Sequence, residues 1–254
     1  MLKTRIIPAL LLKGQGFVKT IKFKNPVYLG DPINIVKIFN DKEVDELMIL
    51  DIDSTVERRP PNFDLLFKIA SECFMPLGYG GGITEADEMK RLFYSGFEKV
   101  SINSAAFRNS KLITEAANLF GSQSVVVSID AKRNFWGKYE VFTEGGKKNT
   151  KLDPISFARQ VEDLGSGEIL INSIDRDGTM QGYDMDLIKG VVDAVNVPVI
   201  VCGGASKKED LVLVAKETKA SAAAAGSMFV FQGKHKAVLI NMPTRKELEQ
   251  AGMP

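Results

Sequence analysis

Short runs of Val, Ile and Leu alternate along the chain with longer stretches in which apolar residues recur every three or four positions. The short runs carry apolar residues at consecutive positions, which is typical of strands buried on both faces of a parallel sheet. The longer stretches have the spacing of amphipathic helices. Eight strands are predicted, over residues 5–11, 46–51, 75–78, 99–102, 124–129, 168–173, 197–202 and 222–225.

Two of the predicted helices begin at an Asp-Pro pair, Asp31-Pro32 and Asp153-Pro154. Asp is a favoured N-cap because its side chain accepts a hydrogen bond from the first turn, and Pro fits the first helical position. The full set of predicted helices covers 31–39, 62–72, 85–94, 110–119, 153–164, 185–195, 207–216 and 244–250. Eight strand–helix pairs indicate an α/β protein with a closed (β/α)8 TIM barrel, formed as a single domain over residues 1–254.

An internal repeat divides the predicted barrel into two halves. Three dipeptides recur at an offset of 122 residues, the difference between positions 31 and 153: Asp31-Pro32 and Asp153-Pro154, Ile52-Asp53 and Ile174-Asp175, Gly81-Gly82 and Gly203-Gly204. The small-residue run 101–106 falls on 223–228 at the same offset. Because this period is far longer than a solenoid repeat, it predicts two half-barrels of four strand–helix units, about residues 1–121 and 122–254.

Glycines follow the third and seventh predicted strands, at Gly80-Gly81-Gly82 and Gly203-Gly204. Active sites of this fold lie at the C-terminal ends of the strands, where residues without a Cβ let backbone N–H groups approach an anion. Asn103-Ser104 after strand four and Gly226-Ser227 after strand eight would each open a helix N-terminus toward a phosphate. A tight turn explains either glycine pair alone, but the two symmetry-related pairs predict two phosphate sites that face each other across the barrel mouth.

The first and fifth predicted strands are apolar runs that lead into a lysine, but they differ at one position near the end. The fifth strand leads into Asp130 where the first carries Leu11. A carboxylate at the end of a barrel strand predicts a general acid or base, so this site has one such group where a symmetric site has two. Asp51 and Asp177, at the ends of strands two and six, could orient substrate hydroxyls, or residues 175–179 could form a self-satisfied loop with an Arg–Asp pair.

Charged residues of alternating sign begin four of the predicted strands: Arg5, Glu46, Lys99 and Glu168. The N-terminal ends of barrel strands meet at one rim. The four side chains could therefore pair across the barrel axis as a plug, or they could form separate rim ion pairs worth little energy.

Three segments lie outside the regular pattern. Residues 14–19 predict a mobile lid, whose Lys19 could reach a phosphate or remain solvated. Residues 132–138 predict a hairpin excursion in which Trp136 covers the mouth or packs on it. After Phe231 the pattern predicts an added extended piece or loop before the last helix.

Composition narrows the possible functions. The formal net charge of +1 gives no global attraction for nucleic acid or an anionic membrane. Cys73 and Cys202 fit neither a disulfide framework nor a zinc-ligand spacing, and one histidine, His235, cannot make a His-rich metal site. The start of the chain lacks a signal peptide's features, and no apolar stretch is long enough to span a bilayer. A cytoplasmic protein without a metal or cofactor is expected.

Six segments together are similar to one known family, the cyclase subunit of imidazole glycerol phosphate synthase from histidine biosynthesis. They cover residues 3–8, 45–52, 80–83, 100–106, 128–133 and 173–183, and the resemblance extends over nearly the whole chain to about Phe231. It implies a (β/α)8 barrel with pseudo-twofold symmetry and a glutaminase subunit docked on the N-terminal face as a heterodimer. It also implies that ammonia passes through the barrel to a bis-phosphorylated, ribulose-type substrate at the C-terminal face.

The resemblance implies roles for individual residues as well. The family's ammonia gate matches Arg5, Glu46, Lys99 and Glu168; an acidic interface position matches Glu98; the mobile-loop lysine matches Lys19; and phosphate ligands fall on Gly82, Asn103, Gly204 and Ser227. The family's catalytic pair is two aspartates, of which one matches Asp130 and the other falls on Leu11.

Leu11 departs from the family pattern, as do Cys202 in place of a serine, Asn172 in place of a threonine, and the tail. Leucine can neither donate nor accept a proton, and loss of one of two acid–base groups lowers the rate by roughly 10²–10⁴-fold. This combination looks like second-copy paralogues of bacterial surface-polysaccharide clusters, in which the barrel and its glutaminase supply ammonia to a sugar amidotransferase. Two alternatives remain: a working cyclase in which Asp51 or Asp53 replaces the missing carboxylate, and a non-catalytic scaffold that activates the glutaminase.

Overall fold

The computed structural model describes residues 3–233 and 235–253. The strands in this range are β1 (Arg5–Lys13), β2 (Gly16–Ile21), β3 (Lys24–Gly30), β4 (Leu47–Asp51), β5 (Leu77–Gly80), β6 (Lys99–Ile102), β7 (Val125–Arg133), β8 (Tyr139–Thr143), β9 (Lys148–Asn149), β10 (Glu168–Ser173), β11 (Val199–Cys202), β12 (Ala222–Ala225), β13 (Phe231–Gln232) and β14 (Ala237–Val238). The helices are α1 (Pro32–Asp41), α2 (Ser54–Glu57), α3 (Phe63–Ser71), α4 (Ala86–Tyr94), α5 (Ser104–Arg108), α6 (Lys111–Phe120), α7 (Pro154–Asp163), α8 (Met185–Val192), α9 (Lys208–Glu217), α10 (Ser227–Val230) and α11 (Arg245–Gln250), with a 3-10 turn at Ser122–Ser124.

Eight strands of the described range form one closed, parallel barrel. Their order around the barrel is β1, β4, β5, β6, β7, β10, β11 and β12, and β12 pairs with β1 again. At least one helix follows each barrel strand before the next begins. The α/β class and the (β/α)8 barrel predicted from the hydrophobic pattern are therefore confirmed.

The two halves of the chain repeat one order of elements. In each half the first strand, β1 or β7, leads into an antiparallel excursion, β2–β3 or β8–β9, and then into a helix. Both of those helices have the predicted Asp cap: Asp31 accepts from the Asn34 N–H at 3.0 Å, and Asp153 accepts from the Ser156 N–H at 2.8 Å.

Two strands begin two residues later than the hydrophobic pattern predicts, for the same reason. β5 begins at Leu77 instead of residue 75, and β11 begins at Val199 instead of residue 197. Pro76 and Pro198 stand immediately before these strands, and a proline has no N–H to donate to a neighbouring strand. The end of β5 also lies later than predicted, so Gly80 is the last residue of the strand rather than part of the loop after it.

Apolar side chains fill the barrel interior at mid-height and also pack between the barrel and the helices. The inner cluster includes Ile7, Met48, Val126, Leu170 and Ile200, none of which has appreciable exposure. Complete burial of a side chain of this size stabilises the fold by about 1.5–3 kcal/mol. The barrel is therefore a packed core between two polar ends, and the chemistry is confined to those ends.

The irregular segments are more ordered than the sequence pattern predicts. Residues 14–19, predicted as a lid, form a turn and most of β2, and the segment after Phe231 forms a small hairpin of β13 and β14 before α11, as predicted. Trp136 lies in the predicted excursion after β7 but is 81% exposed, so it neither covers the mouth nor packs on it. Among the described helices, none combines the length and the hydropathy needed to span a membrane.

Candidate active site

A cavity of about 290 Å³ opens at the C-terminal ends of the barrel strands. Leu11, Asp51, Asn103, Asp130 and Asp177 line it, together with Gly81, Gly82 and Ser104 from the predicted phosphate site. Residues that are far apart in the chain meet here because parallel strands place all their C-terminal ends at the same edge. The mouth of the barrel is thus the candidate active site.

Leu11 and Asp130 occupy equivalent positions in the two half-barrels. Leu11 pairs with Leu50 of β4 and Val18 of β2, and Asp130 pairs in the same way with Asn172 of β10 and Phe142 of β8. Both side chains line the cavity and are half-buried. Equivalent backbone positions therefore present a carboxylate on one side of the mouth and an aliphatic side chain on the other.

Two side-chain amides hold the Asp130 carboxylate. The Asn103 amide donates to Oδ2 at 3.2 Å, and the Asn172 amide donates to Oδ1 at 3.3 Å. Burial raises the pKa of Asp130 to about 7; the Asn172 hydrogen bond lowers it and the nearby Asp177 charge raises it. An oriented carboxyl group with this pKa can hold or release a proton near neutral pH, which is what a general acid or base requires.

We expect Asp130→Asn to become progressively more stable than the wild type as the pH rises from 5 to 8. The raised pKa means that the folded protein keeps this proton until about pH 7, whereas the unfolded chain loses it near pH 4. Wild-type stability therefore falls with pH across this window and then levels off, while the Asn variant lacks the effect. The difference in free energy of unfolding between the two proteins should grow by roughly 2 kcal/mol, measured by urea denaturation. A constant difference would contradict the raised pKa.

The first predicted phosphate site is built around Gly81 and Gly82, after β5, and Asn103 and Ser104, after β6. A Cβ at Gly81 would lie 2.4 Å from the Asp51 carbonyl oxygen. The backbone of Gly81 therefore packs against that of Asp51 and leaves no room for a side chain. The Ser104 hydroxyl accepts from the Glu144 N–H at 3.0 Å, which ties this site to the β8–β9 excursion. All four residues line the cavity, so this cradle is open to a ligand.

We expect Gly82→Ala to destabilise the protein by about 2 kcal/mol more than Gly14→Ala, which serves as its control. Both glycines have a left-handed backbone, with φ of +72° and +60°. The new Cβ at position 82 would lie 2.7 Å from both the Arg59 carbonyl oxygen and the Ser54 Cβ, whereas nothing lies within 4 Å at position 14. Urea denaturation measures the loss of unfolding free energy in each variant. Equal losses would show that neighbouring atoms move to relieve the collision at position 82.

The second predicted phosphate site consists of Gly203, Gly204, Gly226 and Ser227. It does not line the open cavity, because the side chain of Lys19 lies against it: a Cβ at Gly226 would be 3.1 Å from the Lys19 Cε. Within the described part of the chain, the buried Ser227 hydroxyl has no hydrogen-bond partner. A buried hydroxyl without a partner is unusual in a folded protein and marks a position where a ligand oxygen would be accommodated.

Lys19 and Asp177 form a buried ion pair, so neither is a solvated surface residue. The Lys19 ammonium lies 2.7 Å from Asp177 Oδ1, and the Thr20 hydroxyl donates to Asp177 Oδ2 at 3.0 Å. Arg176 donates to the Gln181 carbonyl oxygen at 3.1 Å. Among residues 3–233 and 235–253, Arg176 forms no ion pair with a carboxylate, and Asp177 is paired with Lys19 instead, so the alternative Arg–Asp pair of residues 175–179 is wrong. Asp177 instead fastens the β2–β3 excursion over the mouth.

Asp51 has a structural environment that differs from the one predicted for it. Arg59 donates two hydrogen bonds to its carboxylate, at 3.0 and 3.1 Å, and the N–H groups of Asp53 and Ser54 donate to Oδ1 at 3.1 Å. Its side chain is fully buried. These four hydrogen bonds hold the loop after β4 and engage both carboxylate oxygens. That Asp51 orients substrate hydroxyls stays a prediction. Asp53 is in turn paired with Lys13, at 3.2 Å.

The charged residues at the opposite rim form a connected ring. Lys99 Nζ lies 2.9 Å from Glu46 Oε2 and 2.7 Å from Glu168 Oε2, and Arg5 forms ion pairs with the same two carboxylates. Since β7 separates β6 from β10, the Lys99–Glu168 pair crosses the barrel interior, as a plug requires. Burial lowers the pKa of Arg5, but attraction to Glu168 and Glu46 outweighs burial and raises it. Glu98 lies beside this ring, exposed, directly before β6.

Sequence reasoning missed the amide clamp on Asp130. In the sequence, Asn172 is notable only because it replaces a threonine of the family pattern. Asn103 is notable only as a predicted phosphate ligand. Neighbouring barrel strands place equivalent positions side by side, and β7 and β10 are consecutive strands of the barrel. Their alignment could therefore have indicated that Asn172 lies next to Asp130. The contact from Asn103 had no such signal, because it depends on the rotamer of a loop residue.

Comparison with known proteins agrees with the fold. The model of the histidine biosynthesis protein family matches residues 5–236. A Pseudomonas aeruginosa protein with the provisional name imidazole glycerol phosphate synthase subunit hisF2 is 51% identical over 249 residues, covering 98% of this chain and 99% of the relative. An Alkaliphilus metalliredigens protein named imidazole glycerol phosphate synthase subunit HisF is 43% identical over 229 residues, covering 90% and 91%. The chain therefore belongs to the histidine biosynthesis protein family, in its group of imidazole glycerol phosphate synthase HisF subunits.

Proposed function

We propose that this chain is the ammonia-conducting barrel subunit of a glutamine-dependent amidotransferase complex, and that its own cyclase chemistry is weak or absent. A glutaminase subunit docks on the N-terminal face as a heterodimer, next to Glu98 and the charged ring. Ammonia passes the ring formed by Arg5, Glu46, Lys99 and Glu168, which acts as the gate, and leaves at the C-terminal mouth. There it serves the amidation of a sugar in surface-polysaccharide synthesis, carried out by a sugar amidotransferase.

One observation carries this proposal: Leu11 occupies the position in the first half-barrel that is equivalent to that of Asp130 in the second. The gate ring, the open first cradle and a well-oriented Asp130 support transport of ammonia and binding of a phosphorylated small molecule. Ring closure and lyase cleavage need proton donation and removal at separate points, and a leucine can do neither. Transport does not depend on the carboxylate at position 11, whereas the cyclase reaction does.

The alternative of a working cyclase needs another carboxylate near Leu11. The structure offers Asp51 and Asp53, but the Asp51 oxygens already accept four hydrogen bonds and Asp53 is paired with Lys13. Using Asp51 as a base would disrupt the hydrogen bonds that hold the loop after β4, and using Asp53 would break its ion pair with Lys13. This arrangement supports the transport function over an active cyclase of histidine biosynthesis.

The test is direct turnover of the family's bis-phosphorylated substrate by the purified chain, with ammonium salts and with its glutaminase plus glutamine. We expect turnover to imidazole glycerol phosphate at least about 10²-fold below that of a HisF relative assayed in parallel, while glutamine hydrolysis stays active. Turnover equal to that of the relative would refute the proposal and establish the histidine-biosynthesis reaction.

A further inference from the structure

Two segments at the C-terminal rim hold a concentration of positive charge that the net charge of the chain conceals. Residues 13–30 contain four lysines and no acidic residue, and residues 132–151 contain five lysines and one arginine against two glutamates. Each segment thus has a formal charge of +4. Because the whole chain has only +1, the rest of it has a formal charge of −7. We call residues 13–30 and 132–151 the rim excursions.

The rim excursions lie over the same mouth and approach one another. The first contains β2 and β3, and the second contains β8, β9 and the end of β7. A Cβ at Gly146, between β8 and β9, would lie 2.9 Å from the ring of Phe23, between β2 and β3. Both excursions also line the cavity, through Phe23 and Pro26 on one side and Gly145 and Lys147 on the other. Anything that covers the mouth therefore touches both of them.

Most of the basic side chains of the rim excursions are free to meet a partner. Six exposed lysines have no carboxylate within 4.0 Å among residues 3–233 and 235–253: Lys22, Lys24, Lys132, Lys138, Lys147 and Lys148. Like charges facing each other at an interface are unfavourable, so this surface is unsuited to pairing with its own copy. It suits an acidic partner instead.

An aromatic pair stands at the tip of the second excursion. Phe135 and Trp136 are 94% and 81% exposed, and their rings contact each other edge to face with centroids 5.4 Å apart. Asn134 holds the turn, since its side-chain oxygen accepts from the N–H groups of Trp136 and Lys138 at 2.9 and 3.1 Å. Exposed aromatic residues held in a fixed geometry lose little entropy on binding, and Trp is among the residues that dominate interface energies.

We propose that the rim excursions are the docking surface for the ammonia-consuming enzyme, a protein with an acidic face and an apolar pocket that receives Phe135 and Trp136. This inference rests on the proposed function, because ammonia that leaves the mouth must enter a second active site without escaping to solvent. Both rim excursions line the cavity at this exit, beside the loops after β4, β5 and β6. A rigid aromatic pair matches a preformed protein pocket better than a nucleic-acid backbone, which takes lysines but offers no such pocket.

The test first places a photo-crosslinking amino acid at position 136 of the chain, expressed with its glutaminase in its native host. The expected adduct is an enzyme that forms a carbon–nitrogen bond from ammonia. The same amino acid at position 67, on the outer face of α3, is the control and should not give this adduct. Adducts at position 136 only with the glutaminase, with lipid or with nucleic acid would overturn the inference.

The captured enzyme is then assayed together with the barrel and the glutaminase. Glutamine labelled with ¹⁵N at the amide is supplied with excess unlabelled ammonium, and the label in the product measures channelled ammonia. We expect Phe135→Ser combined with Trp136→Ser to weaken the affinity for the enzyme at least about tenfold and to lower the labelled fraction, with Phe67→Ser as the matched control. An unchanged labelled fraction in the double variant would overturn the docking surface.

This design separates failure of the docking surface from failure of the proposed function. If the chain is itself a cyclase, the wild-type pair converts the bis-phosphorylated substrate without any third protein, whatever the rim variants do. If only the docking surface is wrong, the wild type still channels labelled nitrogen into the captured enzyme and the double variant does so equally well. Circular dichroism and glutamine hydrolysis of the double variant verify that it folds and still engages the glutaminase.

Discussion

Replacing Leu11 by Asp is expected to raise ammonia-dependent turnover of the bis-phosphorylated substrate by roughly 10²-fold or more. Leu11 and Asp130 hold equivalent positions on β1 and β7, so the new carboxylate would face the cavity from the half-barrel opposite Asp130. The first predicted phosphate cradle is open, and Asp130 is already oriented by two amides. Under the proposed function the missing proton-transfer group is the main deficit, and the substitution supplies it.

Leu11→Asn is the matched control, because it has the shape and polarity of Asp without the ability to transfer a proton at neutral pH. We expect the Asn variant to stay at the wild-type rate. Both substitutions replace a half-buried leucine beside Leu50, so their effects on folding should be similar. The measurement is steady-state formation of imidazole glycerol phosphate with saturating ammonium. An unchanged rate in Leu11→Asp would show that the loss of cyclase chemistry has another origin, and an equal gain in Leu11→Asn would show a polarity effect.

Glu168→Gln is expected to lower the free energy of unfolding by about 3 kcal/mol. Glu168 is 4% exposed and is paired with both Arg5 and Lys99. The substitution keeps the size of the side chain but leaves two cations to share Glu46 at the end of the barrel. Removing one partner of a buried ion-pair network is costly because the remaining charges stay desolvated without compensation. Urea denaturation at neutral pH measures this loss.

Glu217→Gln is the matched control for the ring variant. It makes the same chemical change in the Lys189–Glu217 pair, whose N···O distance is 3.4 Å and whose side chains are both about half exposed. An exposed pair contributes about 0–1 kcal/mol, and salt screens it further. If both variants lost the same small amount, the ring would behave as separate rim pairs in solution, contrary to the connected plug seen in the structure.

The barrel could be predicted from the sequence because the signals for its strands and helices are local and occur in both halves of the chain. Consecutive apolar residues indicate buried strands, Asp-Pro indicates a helix start, and the 122-residue offset ties the two halves together. The main errors in strand position came from Met75-Pro76 and Val197-Pro198, where hydrophobicity continues but the proline cannot join the ladder. The excursions were harder, since β2 and β3 contain few strongly apolar runs and their stability comes from contacts such as Thr20 with Asp177.

The site was predictable as a set of strand ends but not as a set of contacts. That Asp130, Asn103, Asp177 and the glycine pairs lie at one mouth follows from barrel topology alone. Which of their atoms bond to one another does not. Asp51 and Asp177 looked interchangeable in the sequence, yet one is held by Arg59 and the other by Lys19. The difference depends on side chains that arrive from distant loops.

The amino-acid sequence by itself determined the fold class, the twofold repeat, the positions that face the mouth and the difference between Leu11 and Asp130, because each follows from residue type and spacing. Only the tertiary structure decided that the four rim charges form one ring, that Asp130 is clamped by Asn103 and Asn172, and that Lys19 lies against the second cradle. The physical reason is that hydrogen bonds and ion pairs need distances of about 3 Å between atoms, and a linear pattern cannot specify those distances between residues 27 to 163 positions apart.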